Sequence, residues 1–354
     1  MNTVRYARWM TDEGFRVTLY CIKGSPLSMH AQSEGLTLTY VIRNRKYFDF
    51  IQARSIARVF QLDHVNVVWF RDTRDMDMLA WVKRMSGQRI KLLYQQAMQF
   101  GVSKKDIVHT FRFQSIDAWV STLNFLADQV KEQTHFPVER IHVVPLGTDP
   151  NTARGGNRAT IRAKIGIDEK VLLAGVIGRI DPLKDQLCAI RALHQISEQF
   201  SEAHLLIVGE STRHEGNEYE RSLRRHVNQL DLQNRIHFLP HTNKVNDVYA
   251  ALDLFILTSK GETFGTVTIE AMSNGLAVIG TRSSGTPEII GSSGLLFEPG
   301  NAIELAEQWT LLLSDTSKRE ELGKAALNRF EHLFSRKASV TGMKKVVLQL
   351  AGTA

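Results

Sequence analysis

Val171-Leu172-Leu173-Ala174-Gly175-Val176-Ile177-Gly178-Arg179-Ile180-Asp181-Pro182-Leu183-Lys184 is an apolar run that ends in glycine and passes through a charged turn into a helical pattern. The run suits a parallel strand buried on both faces. Beyond it, Pro182 to Phe200 is expected to form a core-facing helix, with Leu183, Leu187, Ile190, Leu193 and Ile196 at helical spacing. Strand, tight turn and helix in that order make the first part of a βα unit.

The same alternation extends in both directions. Downstream, strands are expected at His204 to Val208, Arg235 to Leu239, Leu252 to Leu257, Leu276 to Gly280 and Leu295 to Phe297. Upstream, they are expected at Arg16 to Cys21, Leu36 to Val41, Val65 to Trp69, Ile90 to Tyr94, Ala118 to Ser121 and Ile141 to Val144. Helical patterns between β-branched runs predict an α/β fold of two doubly wound, Rossmann-like domains with open parallel sheets. The 354 residues are enough for two domains, with a joint near Pro145 to Pro150. One feature departs from this plan. Asn2 to Thr11 reads as a helix, and no strand precedes it, although a doubly wound domain normally opens on a central strand.

Composition excludes several classes. Hydrophobic residues make up 43% and charged residues 23%, and no stretch approaches the roughly 20 apolar residues of a membrane helix. Arg5, Arg8, Asp12 and Glu13 stand where a signal peptide needs an apolar run, so the expected location is the cytoplasm. Two cysteines, Cys21 and Cys188, are too few for a disulfide framework and read as buried small hydrophobes.

The net charge of +7 is unevenly divided. Residues 1–150 hold 20 Lys or Arg against 14 Asp or Glu, and the remainder hold 24 against 23. The excess is densest at 41–60, where Arg43, Arg45, Lys46, Arg54 and Arg58 interleave with Tyr47, Phe48 and Phe50. Such a stripe is ordinarily a solvated face. It also fits the inner face of an anionic membrane, and no nucleic-acid motif accompanies it.

Two constellations carry chemistry. Gly178, Arg179 and Lys184 place a planar guanidinium and a compact ammonium at the carboxyl end of a parallel strand, where open α/β sheets bind ligands. An arbitrary Arg/Lys pair is more often surface charge, but here the pair suits a diphosphate. Gly261-Glu262-Thr263-Phe264-Gly265-Thr266-Val267-Thr268-Ile269-Glu270 turns through two glycines into a short helix that ends at Asn274-Gly275. Its first amides lack partners and attract anions, while Glu262 and Glu270 could reach hydroxyls of one ligand. Either Glu alone would read as a cap or a dipole complement.

With these segments, Val144-Pro145-Leu146-Gly147-Thr148-Asp149, Val208-Gly209, Asp253 to Ser259, Ser284 to Ile290 and Gly294 to Gly300, the chain resembles the retaining, two-Rossmann-domain (GT-B) glycosyltransferases of family 4. The resemblance implies a cleft between the two domains. A front domain, 1–150, would bind the acceptor and a back domain, 151–335, a nucleotide-sugar donor, with a terminal helix, 336–354, packing back on the front domain. It implies that Arg179 and Lys184 hold the diphosphate and stabilise its developing charge, replacing a metal. Glu262 would contact the donor sugar and Glu270 the ribose. Gly178, Thr263, Phe264, Gly265, Thr266 and Val267 would complete the donor site, the backbone amides of Phe264 to Val267 binding sugar and phosphate.

No cofactor or metal is implied. The partners are a UDP- or GDP-sugar, serving as donor substrate, and a saccharide or lipid-linked acceptor, which the basic front domain suggests is anionic or held at a membrane. The expected setting is polysaccharide, lipopolysaccharide or glycolipid synthesis. The sequence departs from the family at Asp185, in place of a usual Gly, at Glu210-Ser211, and at Gln96, near a usual His that His109 could replace. Asp75-Met76-Asp77 imitates the metal-binding signature of other transferases but reads as the start of a helix. A nucleotide-sugar epimerase of the same architecture and an inactive nucleotide-sugar binder remain alternatives.

Overall fold

The computed structural model describes residues 2–42, 49–87, 89–149, 154–211 and 217–352. The chain divides into two compact units, Met1–Leu146 with Arg336–Ala354, and Gly147–Ser335. The division falls at Leu146, just ahead of Pro150.

The front unit contains β1 (Leu19–Cys21), β2 (Leu38–Tyr40), β3 (Val67–Phe70), β4 (Lys91–Gln95), β5 (Ala118–Ser121) and β6 (Ile141–Val143). All pairings are parallel, but they form two sheets, β1-β2 and β3-β4-β5-β6. The single open sheet expected for this half is therefore split. The first described element is the helix Asn2–Asp12, and among the described residues no strand bridges β1 and β3. Tyr94, Phe113, Trp119 and Phe136 centre the core beneath the larger sheet. The terminal helix Arg336–Ala351 belongs to this unit, where Ser339 donates to the Pro145 carbonyl at 2.6 Å and Arg336 pairs with Asp12 at 2.6 Å.

The back unit contains β7 (Leu172–Ile177), β8 (Ala203–Val208), β9 (Ile236–Leu239), β10 (Leu254–Leu257), β11 (Ala277–Thr281) and β12 (Leu295–Phe297). They form one parallel sheet in the order β12-β11-β10-β7-β8-β9, the doubly wound order with its reversal between β7 and β10. Leu173, Ala174, Leu205, Ile207, Leu254, Ile256 and Trp309 are sealed in its core. The amino end is tied by Asp253, which pairs with the buried Arg162 at 2.7 Å and accepts from the Leu173 amide at 2.7 Å.

The helix expected over Pro182 to Phe200 is shorter, Gln186–Ile196, and Leu183 is 67% exposed rather than core-facing. Asp181 explains the late start. Its Oδ1 accepts from the amides of Leu183 and Lys184 at 2.9 and 3.2 Å, holding them in a turn. Cys21 and Cys188 are both free and buried, and burial pushes the Cys188 thiol up to about 12. Among the described residues no helix is long and apolar enough to cross a membrane.

Candidate functional site

β7 and β10 are neighbours, with Leu254 opposite Ala174, so the loops leaving their carboxyl ends meet. One loop carries Gly178 to Lys184 and the other Thr258 to Gly265. They are fastened together by backbone: the Lys260 amide donates to the Leu183 carbonyl at 2.8 Å, and the Thr258 hydroxyl to the Lys184 carbonyl at 2.6 Å. On this frame Lys184 Nζ forms an ion pair with Glu262 Oε2, both side chains largely covered. Two residues taken from separate motifs thus share one point.

Arg179 is 62% exposed and lies 3.5 Å from Asp181. Its carbonyl is held by Gln186 Nε2 at 2.7 Å. A side chain on Gly209, at the end of β8, would place its Cβ 1.9 Å from the Gly178 carbonyl oxygen, so that crossing needs glycine. Asp185 adopts φ 47°, the left-handed region that glycine favours and Asp tolerates, which accounts physically for the family's usual residue there. Glu210 and Ser211 extend the frame through backbone, the Ile180 amide donating to the Glu210 carbonyl at 3.0 Å.

The helix Thr266–Ser273 starts from Gly265, at φ 66°, without a side-chain cap. A Cβ on Gly265 would lie 3.0 Å from Glu262 Cγ and 3.2 Å from Thr268 Oγ1, whose buried hydroxyl has no partner among the described residues. Uncapped amides and an unmet hydroxyl form a cradle for an anion. Thr263 leads into it, half-buried, and Thr266 and Val267 form the first turn. Phe264 is buried, its ring edge-on to Phe334 at 6.1 Å. In the second turn Glu270 accepts from the Tyr249 hydroxyl at 2.8 Å. Burial, and then the Glu270 carboxylate, raises the Tyr249 phenol well above its usual range and keeps it a neutral donor. Tyr249 has no sequence signal of its own, since it sits in a helix pattern like any core aromatic.

Residues 157–329 match the family model for glycosyl transferases group 1. The back unit is a glycosyl transferases group 1 domain. The chain is 26% identical over 298 residues to N-acetyl-alpha-D-glucosaminyl L-malate synthase of Bacillus anthracis, covering 79% of this chain and 73% of that one. It is 31% identical over 219 residues to D-inositol 3-phosphate glycosyltransferase of Corynebacterium jeikeium, covering 59% of this chain and 52% of that one. For that relative and the mannosylfructose-phosphate synthase of Agrobacterium fabrum, the match spans about half of the relative's length.

Among solved structures, a glycosyltransferase from Rickettsia africae superposes with a TM-score of 0.87 at 20% identity, covering 100% of this chain and 95% of that one. Anabaena Alr3699/HepE in complex with UDP gives 0.82 at 18%, covering 98% and 96%. At these identities the likeness is one of fold, that of two Rossmann-like domains.

Outside the group 1 domain, Gln96 is fully buried and committed: its Oε1 accepts from Trp119 at 3.2 Å and Ser121 at 2.9 Å, and its Nε2 donates to Met98 at 3.0 Å. His109 is held by Asp106 at 2.6 Å within its own helix turn. Asp75 precedes the helix Met76–Met85, and Asp77 pairs with Arg112 at 2.8 Å. Of the basic stripe, Arg43, Arg45, Lys46, Tyr47 and Phe48 lie outside the described residues. Arg54 and Arg58 are exposed on the helix Phe50–Leu62, beside Ile51 at 88% exposure.

Proposed function

We propose that the chain is a retaining, metal-independent glycosyltransferase that moves a sugar from a nucleoside-diphosphate-sugar to a hydroxyl of a saccharide or lipid-linked acceptor. The observation that carries this reading is the Lys184–Glu262 pair at the carboxyl ends of β7 and β10, beside the uncapped helix Thr266–Ser273. An incoming diphosphate draws the Lys184 ammonium and the Arg179 guanidinium. Glu262, relieved of part of its ion pair, turns its carboxylate to sugar hydroxyls. Glu270, oriented by Tyr249, accepts from the ribose.

As the glycosidic bond breaks, negative charge grows on the diphosphate, and fixed cations and amides stabilise it more than they stabilise the bound donor. Attack from the face that the leaving group departs lets a phosphate oxygen take the acceptor proton, which gives retention without a pair of protein carboxylates. The Anabaena neighbour, solved with UDP, makes a uridine donor the first to try, with GDP-sugars second. Two relatives are named for L-malate and inositol 3-phosphate, both anions, and the front half is the basic one. That favours an anionic acceptor bound by the front unit, or one held at an anionic membrane by residues 41–60. Vesicle co-sedimentation at low salt tests the membrane arm, and equal binding to neutral and anionic vesicles ends it.

The decisive experiment is a panel of UDP- and GDP-sugars against the purified chain, reading binding and donor turnover. One donor should bind and be slowly hydrolysed, and Glu270→Ala should weaken the nucleotide at least tenfold. Unchanged affinity in that variant overturns the site. A sugar epimer formed without acceptor would make the chain an epimerase, and binding without turnover would make it an inactive binder.

A further inference from the structure

Three helices of the front unit carry an apolar surface that the donor chemistry does not use. Phe50–Leu62, Met76–Met85 and Ile107–Gln114 pack side by side, each against the next. In the last of them Phe113 is buried and turns inward onto Trp119, ring centroids 5.1 Å apart. The opposite side holds Ile107, at 87% exposure, with the exposed Val108 and Phe111 at helical spacing. A short helix that buries one phenylalanine inward thus points three large apolar side chains outward.

Ring contacts extend that face across the layer. The Arg84 guanidinium lies over the Phe111 ring at 4.9 Å and over the Trp81 ring at 5.0 Å, and Trp81 meets Phe50 edge-on at 4.7 Å. Beside Phe50, Ile51, Arg54, Arg58 and Leu62 form the exposed row of the first helix, whose buried side is Ala53, Ile56, Ala57 and Phe60. Apolar groups and arginines therefore share one outward surface, which for a large contiguous patch marks a binding face.

Its charge is one-sided. The only acid within the three helices is Asp77, and it pairs with Arg112 at 2.8 Å. Asp106, just ahead of Ile107, caps that helix and holds His109 at 2.6 Å. Arg54, Arg58, Arg84 and Lys105 are all exposed. A second copy docked here about a two-fold axis would set arginine against arginine. An anionic bilayer supplies both things the face asks for, apolar depth for Ile107, Val108 and Phe111 and phosphates around it. Trp81 beneath Arg84 is the kind of ring that sits at headgroup level.

We propose that this surface docks the front unit on an anionic bilayer, with Ile107, Val108 and Phe111 entering the acyl boundary and Arg54, Arg58, Arg84 and Lys105 taking the headgroups. The proposal rests on the lipid-linked arm of the proposed function and adds an apolar anchor at 107–111 to the charge at 41–60. The anchor helix follows the loop that leaves the carboxyl end of β4, the edge at which an open α/β sheet takes its ligand. A lipid-linked acceptor in the same leaflet is thereby brought to that edge.

Both native cysteines are buried, so Val108→Cys offers one exposed thiol for a nitrobenzoxadiazole label. Vesicles of phosphatidylcholine with about a quarter phosphatidylglycerol should brighten the label and shift it to the blue, and pure phosphatidylcholine should do neither. Joint Ile107→Ser and Phe111→Ser should cut co-sedimentation by about tenfold or more with the unfolding midpoint unchanged, since both side chains are exposed. Joint Arg54→Gln and Arg84→Gln should weaken binding at low salt and matter little at about 1 M. Donor hydrolysis without vesicles should be the same in all these variants, so a failed anchor is told apart from a failed donor site. Vesicle binding that survives the serine changes, or that leaves the label silent, overturns the proposal. So does equal binding to neutral vesicles, or a label already shielded in a dimer of the chain. Binding to neither vesicle overturns it as well and leaves the face to an acidic protein.

Discussion

The two sheets differ most at their centres. In the back unit β7 is sealed between β8 and β10, and everything assigned to the donor hangs from the carboxyl ends of β7 and β10. In the front unit the corresponding place is a cavity, and at the carboxyl ends of β3 and β4 Arg71 Nε and Gln95 Nε2 have no partner among the described residues. The strand at the reversal of a doubly wound sheet therefore does two jobs. It closes the core, and it fixes the loops on either side in register, as the Lys260–Leu183 and Thr258–Lys184 hydrogen bonds show.

The most direct way to break this contrast is amide exchange on the chain as it stands. Ala174 and Gly175 of β7 should exchange only on global opening, while Tyr20, Val67 and Trp69 exchange by local fluctuation, roughly 10³-fold faster or more. Comparable protection in the two units would mean that the centres are equivalent. Next in size is Asp253→Ala. It leaves Arg162, 1% exposed, at the amino end of the sheet with backbone carbonyls and only the exposed Glu169 carboxylate, at 4.0 Å, to balance its charge. A loss of about 3–5 kcal/mol is expected, read as earlier denaturant unfolding of the back unit with β3 to β6 unaffected.

Lys184→Gln separates the chemistry from the frame, because the backbone fastening of its loop does not use the ammonium. Donor turnover should fall by about 10² to 10³ with the unfolding midpoint nearly unchanged. A fall in stability of similar size would instead make the Lys184–Glu262 pair a structural tie.

Acid should weaken the back sheet selectively along β8 and β9. His204 Nδ1 lies 3.0 Å from His237 Nε2, and burial first, then the neighbouring ring, hold the His204 imidazole down at about 4. Because the folded value lies below the ordinary 6.5, the unfolded chain takes up the proton first. This contribution to stability is whole above about pH 6.5 and is lost as the pH falls toward 4. His204→Leu should flatten that limb of the stability profile, and an unchanged slope would remove the pair from the account.

Much of this was legible in the sequence because burial on both faces of a parallel strand writes an uninterrupted apolar run. All twelve expected strands are present, with ends shifted by at most three residues. The start of the helix at Gln186 was not legible, since apolar spacing cannot report that Asp181 captures two amides and holds Leu183 outside. Lys184 and Glu262 were both readable as candidates, but their contact was not, because it depends on β7 and β10 being neighbours. The helix at Asn2–Asp12 was visible, whereas the split of the sheet was not, because pairing between β1 and β3 is a matter of distance rather than of either strand's own pattern.

Tyr249 is the residue that sequence missed altogether, and its removal gives the smallest effect and the finest probe of the site. The hydroxyl donates to Glu270 at 2.8 Å and lies 3.2 Å from the Val267 carbonyl, so Tyr249→Phe deletes one donor and leaves the buried ring in place. Such a hydrogen bond contributes about 0.5–1.5 kcal/mol, which predicts a few-fold rise in the nucleotide Kd. The phenol stays neutral across the working range, so the effect should not vary with pH. Turnover at saturating donor should be unchanged, because Glu270 is assigned to the ribose and not to the breaking bond. A loss near 100-fold would mean that the hydroxyl touches the ligand itself. No change at all would mean that Glu270 needs no orienting, and would leave the uncapped helix and the Lys184–Glu262 pair to hold the donor without it.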